Sequence, residues 1–377
     1  MRLSSDPAGR RRLALLGGAG LVALVAGLVA GAGSGGGAGG GAGESDAGRA
    51  RQEALQAVDR LSLRQQVGQL TISTFPGGRP PGYIRRRLRA GETAGVILFG
   101  SNAGPPDQWQ SLTGTLQRYA DRGALVMVDQ EGGSVRSVGW AGPMTGAPVQ
   151  GSPTDVRDAA RAAAGELRGV GVNVNLAPVA DVPVGGSTVM SPRAFSGDAG
   201  EVAAKTRAAI EGISSAGLAA TAKHFPGLGG ADVNTDDGTA TSTAELAPFR
   251  AAVGVRVPLI MLSHAIYPTL DPTRIASQSP PIATGLLRER LGYDGVVITD
   301  SIEAQAVLDR SNVAVAAERS VKAGADLILT TGSASWNEIY PGLLKLARRS
   351  PSFRKRVRDS AARVLELKRR LDLHLGG

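Results

Sequence analysis

Between residues 60 and 330 the chain alternates short apolar runs with longer amphipathic stretches. Eight of these runs have strand character: 70–73, 95–99, 124–128, 172–176, 218–222, 258–262, 295–299 and 325–329. Each is rich in aliphatic residues and bounded by Gly, Pro or polar positions, as a buried strand should be. Between them, 159–167, 201–216 and 313–323 set Ala, Val and Leu at helical spacing. Strands that alternate with helices form a parallel sheet. Eight such units predict an α/β fold, a single-domain (β/α)8 barrel of the TIM type. That barrel needs roughly 250 residues, and the chain has 377. Before the first strand a helix is expected over about 50–60, and Leu61-Ser62-Leu63 should cap and start a second that runs to Gln69. A terminal helix over about 353–373 closes the chain.

Upstream lies a different pattern. Arg10, Arg11 and Arg12 precede an uncharged run from 13 to 32. Such a run is about long enough to span a bilayer, and the arginines favour an inside N-terminus. A cleaved signal peptide has the same layout with a shorter apolar part. Residues 1–32 therefore read as a signal peptide or a membrane anchor. Both readings make the protein extracytoplasmic, secreted or membrane-anchored. Residues 33–48, almost all Gly and Ala through Gly43, read as a flexible linker. The barrel occupies 49–377.

Composition narrows the chemistry. Apolar residues make up 42% and aromatics 4%, so Val, Ile, Leu and Ala must fill the core. The absence of cysteine excludes disulfides, a Cys-bound zinc, a thiol nucleophile and a lipidated N-terminal Cys. The net charge is +9, and residues 342–377 carry 11 Lys/Arg against three acids, so the basic character is local. The segment reads as a solvated helix face or as a patch for anionic lipid or wall polymer. Without interleaved aromatics or a base-reading motif, no nucleic-acid partner is expected. Three scattered histidines, His224, His264 and His374, show no metal-ligand spacing. No metal or other cofactor is implied, and the chain is expected to act as a monomer.

In (β/α)8 barrels the working groups sit just past the C-terminal ends of the strands. The third run is followed by Asp129-Gln130-Glu131-Gly132-Gly133, and the fourth by Asn175, Asp181 and Arg193. The fifth leads into Lys223-His224-Phe225-Pro226-Gly227, the sixth into Ser263-His264, and the seventh into Asp300-Ser301. Five strands each supplying an ionisable group to one rim argue for a functional mouth.

These motifs, together with Asn175-Leu176-Ala177-Pro178-Val179-Ala180-Asp181, Arg193-Ala194-Phe195 and Gly295-Val296-Val297-Ile298-Thr299-Asp300, resemble the N-terminal catalytic domain of glycoside hydrolase family 3. The nearest likeness is to bacterial β-N-acetylglucosaminidases that trim peptidoglycan fragments. The resemblance runs from about Leu61 to Leu371. It implies Asp300 as the nucleophile and Asp129 as a ligand for sugar hydroxyls. Arg193, Lys223 and His224 would hold the sugar, and His264 matches a less specific binding position on the sixth strand.

One loop departs from the family pattern. Where those relatives carry a proton-donating histidine oriented by an aspartate, this chain has Asn234-Thr235-Asp236, and Leu228 replaces an earlier histidine. Asp236 thus becomes the candidate acid/base, with Asp232 and Asp237 as neighbours that could substitute. A carboxyl can serve if its surroundings raise its pKa, and the retaining route uses two carboxyls about 5 Å apart. The resemblance implies a retaining exo-glycosidase that releases a terminal β-linked sugar, N-acetylglucosamine, from peptidoglycan-type oligosaccharides. A different sugar specificity, another donor or acceptor, and a catalytically impaired cell-surface glycan-binding protein are the alternatives.

Overall fold

The computed structural model describes residues 42–185 and 189–374; the apolar run at 13–32 lies outside them. A strand forms at every one of the eight apolar runs: β1 (Thr71–Ser73), β2 (Gly95–Ile97), β3 (Leu125–Val128), β4 (Val174–Asn175), β5 (Ala219–Phe225), β6 (Leu259–Leu262), β7 (Val296–Thr299) and β8 (Ile328–Leu329). Neighbours pair in parallel and in chain order. A bridge between Ile298 and Leu327 joins β7 to the approach of β8 and closes the ring. The architecture is a (β/α)8 barrel, and residues 44–377 form one compact unit.

Strand alternation divides the core in two. Leu125, Met127, Val296 and Ile298 belong to a cluster that fills the lumen. Their neighbours Val126, Val128 and Val297 pack outward among the helices. The same parity, carried past the strand ends, assigns positions 129 and 300 to the lumen side.

The outer helices are α1 (Ala42–Asp59), α2 (Leu63–Gly68), α3 (Gly82–Ala90), α4 (Pro106–Tyr119), α5 (Pro153–Gly169), α6 (Ala199–Ser215), α7 (Ala247–Gly254), α8 (Gln305–Leu308), α9 (Val313–Ala323), α10 (Trp336–Arg349) and α11 (Pro351–Arg370). A π-helical segment, Pro281–Arg290, connects β6 to β7. Ser62 caps α2 through a reciprocal box with Gln65. Helix α1 begins at Ala42, within the segment expected to be a linker. No helix of the described residues is long and apolar enough to cross a membrane.

Helix α11 closes the barrel floor. Val364 and Leu367 join the lumen cluster from below. Lys368 Nζ donates to Gln69 Oε1 at 2.9 Å and to the Arg122 carbonyl at 3.3 Å. Burial, reinforced by Arg122, pushes that amine down to about 7. The basic C-terminal segment is therefore not a uniformly solvated face. Arg358 pairs with Asp59 at 2.6 Å, and Arg369 pairs with Glu53. Fully buried Asp326 accepts from Arg356 at 3.0 Å, from Arg363 at 3.4 Å and from Arg288.

Burial alone would raise the Asp326 carboxyl, but the three guanidinium groups hold it far below the usual carboxylate range. A depressed folded pKa means a stabilising contribution that is complete above about pH 4 and lost as pH falls toward the folded value. Asp326→Ala is expected to cost about 3–5 kcal/mol at neutral pH, the range for removing one partner of a buried ion cluster. Urea unfolding of wild type and variant at pH 7 checks it; a loss under about 1 kcal/mol would contradict the role.

Candidate active site

The C-terminal strand ends open into a cleft of ≈ 1050 Å³. Its wall includes Asp129, Glu131, Arg193, Lys223, His224, Asp236 and Asp300. Asp129 follows β3 on the lumen parity. The turn after it depends on Gly132 and Gly133, at φ +112 and +59. A Cβ on Gly132 would meet the Thr145 carbonyl at 2.7 Å, so only glycine fits. Gln130 anchors the same loop by donating to the carbonyls of Val138, Ala141 and Gly142. Strand β5 delivers two consecutive residues, Lys223 and His224, to the cleft. Its pairing with β6 shifts register between Ala222 and Phe225, which breaks the strict alternation.

Lys223 is the hub. Its Nζ lies 2.7 Å from Asp129 Oδ1 and 2.7 Å from Glu131 Oε1. Burial opposes its charge, yet these carboxylates hold the amine above its ordinary value. Arg193 grips Glu131 with two parallel bonds, Nε to Oε2 at 2.9 Å and Nη2 to Oε1 at 2.6 Å. Against its own burial, Glu131 is drawn down to about 2 by Lys223 and Arg193. Asp129 keeps 29% of its side chain exposed to the cleft, with one oxygen on Lys223 and capacity left for hydroxyl donors.

His224 is oriented from behind. Its Nδ1 donates to Asp181 Oδ2 at 2.7 Å. The other oxygen of fully buried Asp181 accepts the backbone N–H groups of His224 and Leu228 at 3.1 and 2.6 Å. That leaves His224 Nε2 facing Asp300 Oδ2 at 3.8 Å.

Asp300 differs from the other acids of the wall. Among the described residues no lysine or arginine forms an ion pair with it. Its Oδ1 accepts the Ser301 N–H at 2.7 Å, and its side chain remains 21% exposed. Burial would raise its carboxyl; His224, His264 and the Ser301 N–H outweigh that and lower it. Asp236 moves the other way. It is solvent-exposed on the cleft rim, and partial desolvation against the wall, followed by the Asp300 charge, raises its carboxyl. Its loop is docked, not loose. The Asp236 and Thr235 carbonyls accept the N–H groups of Gln305 and Ala306 at 3.3 and 3.0 Å, and Thr235 is buried.

Six of the seven residues singled out in the sequence thus share one cleft. His264 is not among the residues that line it. It is fully buried, with Nδ1 2.7 Å from Ser277 Oγ and Nε2 2.9 Å from the Ser301 carbonyl. Both ring nitrogens are committed to protein, so it supports the segment around Asp300 from beneath. Two residues were quoted in motifs without a role, Glu131 and Asp181. Their signal was present, since each is an acid a few residues past a strand end. Among the described residues no group of three or more His, Cys, Asp or Glu is arranged to hold a metal ion.

A barrel mouth that pairs most of its charges yet leaves one carboxylate free, with a second carboxyl of opposite pKa tendency on the rim, defines a glycosidase-type site. The sequence pattern of the family described as "Glycosyl hydrolase family 3 N terminal domain" matches residues 62–367, and the chain belongs to that family of hydrolases acting on O-glycosyl bonds. It is 32% identical over 340 residues to an uncharacterized secreted glycosyl hydrolase of Arthroderma benhamiae, covering 82% of this chain and 94% of that one. A beta-hexosaminidase of Xanthomonas oryzae pv. oryzae is 35% identical over 260 residues, 64% of this chain and 77% of its own. Among solved structures, a family 3 beta-N-acetylglucosaminidase from Paenibacillus sp. str. FPU-7 superposes with a TM-score of 0.78 at 33% identity, over 83% of this chain. This chain spans 63% of that protein's length.

The pairing pattern has a consequence for stability. Lys223→Met removes the buried cation that Asp129 and Glu131 share and is expected to cost about 3–5 kcal/mol. Asp300→Asn breaks no ion pair with a lysine or arginine and should stay within about 1 kcal/mol. Denaturant unfolding of both variants tests this; equal losses would show Asp300 to be a structural acid.

Proposed function

We propose that this chain is a retaining exo-β-glycosidase that releases a terminal β-linked N-acetylglucosamine from peptidoglycan-type oligosaccharides outside the cytoplasm. The observation that carries the reading is Asp300: an acid at the end of a buried strand, without a lysine or arginine partner, beside Asp129, Glu131, Arg193 and Lys223, which are paired with one another. An ionised Asp300 Oδ2 attacks the anomeric carbon. The exocyclic C–O bond breaks as Asp236 passes its proton to the leaving oxygen, and a glycosyl ester on Asp300 results. Asp236, now a carboxylate, takes a proton from water as that water attacks the same carbon and returns Asp300 to its free form. Asp129, Arg193, Lys223 and His224 hold the sugar hydroxyls. The secreted relative supports an extracytoplasmic setting, with residues 1–32 as signal or anchor and the barrel acting as a monomer.

A panel of aryl β-glycosides tests the reaction. Wild type should turn over the N-acetylglucosaminide, Asp300→Asn should lose nearly all of that turnover, and a fluorosugar inactivator should label the peptide bearing Asp300. Absence of turnover on every sugar, with oligosaccharide binding retained, would instead identify a glycan-binding protein.

Asp236 is tested by leaving group and by pH. Asp236→Ala should slow a poor leaving group by about 10²–10⁴-fold, the range of general acid catalysis, and spare an activated aryl leaving group. The wild-type rate should rise as pH passes the lowered Asp300 value and fall as it passes the raised Asp236 value. A falling limb that persists unchanged in Asp236→Ala would assign the proton to another group.

A further inference from the structure

A second cleft, of ≈ 1030 Å³, lies on the outer wall of the barrel between the loop entering the π-helical segment and α9. Arg274, Gln278, Arg310, Arg319 and Lys322 line it, and no carboxylate does. Two of the four cations are partly neutralised from outside the cleft. Asp271 lies 3.5 Å from Arg274 Nη1, and Glu318 lies 2.5 Å from Lys322 Nζ. The other two are not: among the described residues neither Arg310 nor Arg319 forms an ion pair. Arg310 donates Nη1 to the Thr273 carbonyl at 3.3 Å, while its buried Nε has no partner among the described residues.

The second observation is an amide. Gln278 ends the turn Ala276–Gln278 and is only 6% exposed. It is one of the residues that line the cleft, and its buried Nε2 has no hydrogen-bond partner among the described residues. An unmet buried donor costs about 1–3 kcal/mol. A hollow lined by guanidinium groups, with an unmet amide donor in its wall and no competing carboxylate, is complementary to an oxyanion. We infer that this cleft binds a carboxylate or phosphate group borne by an anionic glycan.

The site stands on its own residues; only the choice of a glycan as carrier rests on the glycosidase reading. Its position suits that carrier. Arg310 comes just after α8, whose first residue, Gln305, donates its N–H to the Asp236 carbonyl at 3.3 Å. Thr239, beyond Asp236, bonds Asp309 at 3.3 Å. The active-site loop and the basic cleft thus share one support, the short helix α8 and the turn that follows it.

Calorimetric titration of the full chain with trigalacturonate, inorganic phosphate and, as neutral control, maltotriose tests the inference. Wild type should bind the trigalacturonate, more weakly as salt rises, and ignore maltotriose. Affinity should fall at least about tenfold in R319E/K322E, whose side chains are exposed, and several-fold in Q278M, with hydrolysis of a neutral aryl glycoside unchanged. Phosphate that competes with the trimer extends the site to phosphate-bearing glycans; phosphate that does not compete confines it to carboxylates. No anion binding, or binding that both variants retain in full, overturns the inference. The titration involves no turnover, so the two readings separate. Turnover without anion binding sinks the cleft alone, and anion binding without turnover sinks the glycosidase proposal alone.

Discussion

A strand can send only every second side chain into a barrel, and alternate strands supply each layer of the lumen. On β3, β5 and β7 that parity runs up the strands to Asp129, Lys223 and Asp300. Leu125 and Met127, Ala219, and Val296 and Ile298 fill the layers below them. Asp129, Lys223 and Asp300 thus form the uppermost layer of these three strands, with charge in place of hydrocarbon. A one-residue slip in β7 would turn Asp300 into the helical shell and bring Ser301 to the mouth.

Placing so much charge over an apolar plug is costly unless each ion finds a partner. Lys223 answers both Asp129 and Glu131, and Arg193 completes Glu131 with a fork that a lysine could not offer. Asp181 is satisfied by His224 and two backbone N–H groups. These closed pairings leave Asp300 over, held by one N–H and faced by an imidazole. The same field separates the two carboxyls at the mouth. His224, His264 and the Ser301 N–H lower Asp300, and the charge of Asp300 helps to raise Asp236.

The floor of the barrel repeats this logic without chemistry. Asp326 is buried beneath three arginines, and Lys368 is buried beside an amide and a carbonyl. Several of those cations come from the C-terminal segment that gives the chain its basic character. In the sequence they read as a surface feature, because the acids that engage Arg356, Arg358, Arg363 and Arg369 lie far away, at positions 53, 59 and 326. Ion pairing over such separations leaves no periodic trace.

Local pattern was enough for the strands, for the Ser62 cap and for the position of the rim, because periodicity and capping depend on residues a few places apart. Motif order brought Asp129, Arg193, Lys223, His224 and Asp300 to attention. The sequence by itself thus determined which residues form strands and which polar groups end them. Only the tertiary structure decided which of those groups face the cleft, that Glu131 and Asp181 hold the others in place, and that His264 is spent on Ser277 and Ser301. Those outcomes depend on contacts between segments from 13 to 94 residues apart, which exist only once the chain has folded.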